Sequence, residues 1–114
     1  MKPPRPKPIY AGTPPRVVGT VEGGVFTKPV HGSRHMLLSP LAWSMDVVTF
    51  QEALNAGADF VLIQDKDTGI EYRASTETIV KKGFRLDRGH GPQVALGLAH
   101  WEATPPKPVQ RKLW

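Results

Sequence analysis

The stretch that most constrains the fold is Ala58 to Ser75, ADFVLIQDKDTGIEYRAS. Phe60 to Ile63 is an unbroken apolar run, too short for a helix of its own and built of residues that suit a pleated surface, so it reads as a central strand. Ile70, Tyr72 and Ala74 alternate with Glu71, Arg73 and Ser75, the period of a strand with one face buried. Asp65-Lys66-Asp67-Thr68-Gly69 lies between them and supplies turn chemistry: short side chains that bond nearby backbone, and a glycine able to turn left-handed. A four-residue loop sets Ile63 against Tyr72 and Val61 against Ala74 on one face. A three-residue loop would place Gln64 against Tyr72 instead.

A chain of 114 residues forms one domain with a modest core. Without cysteine it can have neither disulfides nor thiolate metal sites, which fits a cytoplasmic protein. No apolar run has the length needed to cross a bilayer, and the Pro-rich start lacks the hydrophobic core of a signal peptide. The expectation is a soluble protein of the cytoplasm.

The distribution of the +5 net charge says more than its sum. Lys2, Arg5, Lys7 and Arg16 at one end and Lys107, Arg111 and Lys112 at the other face no acid in their own segments. Residues 17 to 104 hold eight Lys or Arg against all ten Asp and Glu, so the basicity belongs to the ends.

Residues 1 to 16 carry six of the twelve prolines, which excludes a helix or an inner strand and predicts an extended arm. Arg16–Glu22 and Val25–Val30 read as a second hairpin turning at Gly23-Gly24, with Gly19 weakening the first strand and Pro29 at an edge or a strand end. Leu41, Trp43 and Met45 alternate with Ala42 and Ser44 in a short strand whose core anchor is Trp43. Asp46 is placed to cap a helix over 46 to 56, with Val47, Phe50 and Leu54 on one face and Gly57 as its stop. Ser75 caps a short helix near 76 to 82, where Lys81-Lys82-Gly83 ends it as the dipole prefers. Phe84 to Asp87 reads as an extended link, 88 to 92 as a loop and Gln93 to Trp101 as a closing strand. The sum is an α+β domain of residues 17–103, with an antiparallel sheet of about five strands and flexible basic tails over 1–16 and 104–114.

Two loops combine arginine, histidine and glycine: His31-Gly-Ser-Arg34-His35 and Arg88-Gly-His90-Gly. If the fold joins them, Arg34, His35, Arg88 and His90 form an anion site; two ordinary solvated turns explain the same residues. The same histidines could be zinc ligands, although Gly32 and Ser33 argue against a helix aligning His31 with His35. The 65–69 segment resembles a calcium loop only superficially, because glycine is fifth rather than sixth and Thr76 stands where a glutamate is needed. Lys81, Lys82, Arg85, Arg88 and His90 make a basic strip with Asp87 as its countercharge, a candidate for phosphate contacts or a merely solvated run.

The expected function is a non-enzymatic accessory protein that binds nucleic acid or a nucleoprotein complex through its tails and this strip, without a cofactor. One alternative is a protein-interaction adaptor using the PxxP at Pro3–Pro6 and the terminal Leu113-Trp114. Another is a small phosphodiesterase or nuclease acting through Arg34, His35, Arg88 and His90.

Overall fold

In a computed structural model, the structure describes residues 6–12, 14–31, 42–88 and 91–106, with Arg88 described through its backbone alone. The first strands are β1 (Lys7–Ala11), β2 (Arg16–Glu22), β3 (Val25–Val30) and β4 (Ala42–Asp46), after which comes helix α1 (Val47–Asn55). Then follow β5 (Phe60–Asp65), β6 (Glu71–Ser75), helix α2 (Thr76–Lys82), β7 (Phe84–Arg88) and β8 (Gly91–Gly97). A 3₁₀ turn at Leu98–His100 leads into β9 (Glu102–Thr104). The architecture is α+β: a six-stranded sheet in the order β1-β2-β3-β5-β6-β9 and a three-stranded sheet in the order β4-β8-β7.

The central hairpin forms in the register set by its apolar pattern, with Ile63 opposite Tyr72 and Val61 opposite Ala74. The Asp65 amide donates to the Ile70 carbonyl at 3.0 Å, closing a four-residue loop in which Gly69 has φ +79°. Asp65 is 1% exposed, and its carboxylate accepts from the Asp67 amide and the Thr68 hydroxyl, each at 3.0 Å. The Asp65 carboxylate thus holds its own turn, in keeping with the reading of this segment as a turn. The β2–β3 hairpin turns on Gly23 and Gly24, at φ +58° and +76°, the left-handed pair that a two-residue hairpin loop requires.

β3 and β5 run parallel, which hairpin geometry cannot achieve. The chain between them is long enough for a crossover and carries β4 and α1. The core gathers on one face of the large sheet: Phe26, Val61 and Ile63 are fully buried and meet Trp43, Met45 and Leu96 from the small sheet, together with Phe50 and Ile79 from the helices. Ser75 caps α2 as expected, accepting from the Thr78 amide at 3.0 Å.

Several expectations are corrected. The large sheet has six strands rather than about five and is mixed rather than antiparallel throughout, because β3 and β5 are parallel, and a second sheet accompanies it. The arm expected over 1–16 contains β1, which buries Ile9 and tolerates Pro8 because it is an edge strand. Phe84–Asp87 is not a link but most of β7, paired with β8. The closing strand ends at Gly97, and Trp101 lies beyond a 3₁₀ turn with its indole N–H donating to the Leu96 carbonyl at 2.9 Å. In α1 the buried residues are Thr49, Phe50 and Ala53, so the helix is rotated from the expected face; Val47 is exposed and Leu54 half-buried. The Asp46 side chain makes no capping bond, and its backbone is the last rung of β4, opposite Gln93.

Two glycines are needed for space rather than for φ. A Cβ at Gly19 would lie 2.5 Å from both the Phe26 ring and the Thr27 carbonyl, and one at Gly83 would lie 2.3 Å from the Ile79 carbonyl. Both positions mark backbone approaches too close for any side chain.

Candidate nucleic-acid interface

Of the residues expected to contact phosphate, Arg34, His35 and His90 lie outside the described residues, as does any meeting of the two Arg/His loops. Arg88 ends β7 with its backbone opposite Gly91. Lys81 and Lys82 occupy the last turn of α2, and Arg85 follows on β7. The strip is thus continuous along the chain, crossing from helix to strand at Gly83.

Its charge is partly met by neighbours. Lys81 Nζ lies 2.8 Å from Glu77 one helical turn earlier, and Arg85 Nε lies 3.1 Å from Asp87. All four side chains are exposed, so each pair is weak and screened by salt. An incoming phosphate could still compete for these cations. Lys82 is exposed and makes no ion pair among the described residues.

His31, one of the residues considered for zinc, stands just past β3 with Nδ1 3.1 Å from an Asp67 carboxylate oxygen. Among the described residues no group of three or more His, Cys, Asp or Glu converges as a metal site. No helix among them is long and apolar enough to cross a membrane.

All ten acids and nine of the fifteen Lys and Arg fall in residues 6–31 and 42–106. The six others, Lys2, Arg5, Arg34, Lys107, Arg111 and Lys112, lie in segments that contain no acid.

Arg16, counted in the sequence with the basic N-terminal end, and Lys28, not singled out there, share a cleft between β2 and β3 with Val17, Val18 and Pro29. A signal for Lys28 existed, because it stands two positions from both Phe26 and Val30 and so falls with them on the core-facing side of β3. Burial, the largest influence, lowers the proton affinity of the Lys28 amine; Asp46 raises it and Arg16 lowers it further.

Other exposed side chains are apolar. Tyr10 and Val17 face each other across β1 and β2, each more than half exposed, and Val47 and Val48 are exposed at the start of α1, which packs against β1. No protein-family model, curated protein or solved structure matches the chain.

Proposed function

We propose that this is a non-enzymatic accessory protein that binds nucleic acid or a nucleoprotein complex, its basic segments drawing in phosphate and its near-neutral body fixing position. The observation that carries the reading is the charge segregation along the sequence: six Lys or Arg and no acid in residues 1–5, 32–41 and 107–114, against nine and ten in the rest of the chain. Like charges with no acid beside them in the sequence attract a polyanion over about a Debye length, and neutralising phosphates releases counterions, so affinity is general and strongly salt-dependent. Lys82 would add to this field from the body, and Lys81 and Arg85 would exchange carboxylate for phosphate. Fluorescence anisotropy of a labelled oligonucleotide of arbitrary sequence tests the reading. Binding at low salt that vanishes as salt is raised supports it; no binding at low salt refutes it.

A second reading, a protein-interaction adaptor, is favoured by the exposed Tyr10 and Val17 at a sheet edge that has no partner strand among the described residues, and by the exposed Val47 and Val48 on α1. An edge strand offers backbone groups to an extended segment of a partner, and apolar side chains beside it supply contact area. Tyr10→Ser and Val48→Ser, made together, would weaken partner binding in that case and leave oligonucleotide affinity unchanged.

A further inference from the structure

We propose that the cleft between β2 and β3 binds one phosphate-type oxyanion, held between Arg16 and Lys28. The site arises from how the two strands part. They pair only from Thr20–Thr27 to Glu22–Val25, and toward Arg16 and Val30 no further pairs form between them. On its other side β2 carries a bulge: Ile9 faces Gly19 and Tyr10 faces Val17, so Val18 is an extra residue. Bulges bend a strand and re-aim its side chains, and this one lies at the cleft. Pro29, with no N–H to give, sits on β3 where β2 has already departed.

The resulting space is open and about 220 Å³, roomy enough for a tetrahedral anion with part of its hydration, since a water takes roughly 30 Å³ of liquid. Two of its five lining residues are cationic. Lys28 is half-buried on the core side of β3, opposite the fully buried Ile63. Among the described residues its ammonium has no hydrogen-bond or ion-pair partner; Asp46 acts on it from beyond ion-pair range. A half-buried cation lacking an acceptor, with a second cation on the same cleft, raises the free energy of the empty site. One oxyanion relieves both terms: it accepts from the ammonium and the guanidinium together and removes their mutual repulsion.

The chemistry is that of a phosphate group, whether free inorganic phosphate or a phosphodiester of a nucleic-acid strand. The site does not depend on the flanking segments, which are unchanged in its variants.

The test uses the full chain, titrated with inorganic phosphate against chloride at equal ionic strength and followed by thermal unfolding and amide chemical shifts. Phosphate should raise the Tm of the wild type and shift the amides of Val17, Val18 and Lys28. In Lys28→Met and in Arg16→Gln phosphate affinity should fall at least tenfold. Without phosphate, Lys28→Met should be no less stable than the wild type, because it removes a half-buried charge and keeps the aliphatic stem. Arg16 is exposed, so its variant tests the site even if Lys28→Met folds poorly. Displacement of bound phosphate by a short oligonucleotide would identify the phosphodiester as the source, and failure to displace it the free ion; either result supports the site. Equal phosphate affinity in the wild type and in Arg16→Gln, or no response of the wild type beyond that to chloride, would overturn it.

Discussion

The ring of Trp43 lies 5.2 Å from that of Tyr72, centroid to centroid, with their planes inclined at 50°. Trp43 belongs to β4 of the small sheet and Tyr72 to β6 of the large one, so this tilted aromatic pair joins the two layers at the core. The Trp43 indole N–H is buried there without a partner among the described residues, whereas the Trp101 indole donates to Leu96. Trp43→Phe removes an unsatisfied donor along with some volume. Trp101→Phe loses a bond made in the interior. Denaturant unfolding should therefore find Trp43→Phe the milder change by about 1 kcal/mol or more. Equal losses would mean that the Trp43 donor is satisfied in solution.

Gly83 and Gly57 are needed for different reasons. Gly57 has φ +89° and open space where a Cβ would stand; Gly83 has φ −70° and no space at all. Asparagine tolerates left-handed backbone better than alanine does, so Gly57→Asn should cost less than Gly57→Ala. At Gly83 the order should reverse: alanine costs about 1–3 kcal/mol through overpacking, and the larger side chain costs more. Thermal unfolding of the four variants checks the two opposite rankings.

Alkaline stability should carry two contributions of opposite sign. Burial, with the nearby Asp65 carboxylate, raises the Tyr72 phenol above its ordinary 10.0. As pH climbs past 10 the unfolded chain loses that proton while the fold retains it, so this stability is present at lower pH and lost through the folded-state value. Lys28 is lowered from 10.5, mainly by burial, so between its folded value and 10.5 the unfolded chain binds more protons and stability rises with pH. Tyr72→Phe should flatten the alkaline fall, and Lys28→Met should abolish the rise below it. Urea unfolding from pH 8 to 11 measures both.

β1 makes the N-terminal arm part of the sheet. Ile9 is 5% exposed, so Ile9→Ala should cost at least about 2 kcal/mol, as buried isoleucines do. A variant as stable as the wild type would place β1 outside the fold.

The central hairpin could be read to the residue because its two patterns, turn chemistry and alternation, agree on one register. The β2–β3 hairpin followed from two glycines and the Ser75 cap from its hydroxyl, each a local rule that nothing distant overrides. The errors have a common cause in pairing. β9 is three exposed residues with no hydrophobic signal, and it is a strand only because β6 lies beside it. β1 was hidden by its prolines, although Pro8 loses nothing at an edge. Phe84 and Leu86 do alternate with Arg85 and Asp87, yet the strand exists through its pairing with β8. In α1 the spacing admitted more than one face, and packing selected Thr49, Phe50 and Ala53. For the site, composition indicated the basic ends and the strip. The ion pairs with Glu77 and Asp87, and the cleft at Arg16 and Lys28, depend on which side chains tertiary structure brings together.

The most direct measurement is the slope of log affinity against log salt for a single-stranded oligonucleotide. It should be compared between the full chain and a variant in which Lys2, Arg5, Arg34, Lys107, Arg111 and Lys112 are all replaced by glutamine. If those six cations carry the attraction, their removal should reduce the steepness of the slope by up to about 4, at roughly 0.7 per phosphate contact, and leave little binding at physiological salt. A variant that retains the affinity and slope of the full chain would contradict the proposal, because the field would then arise from the folded body alone.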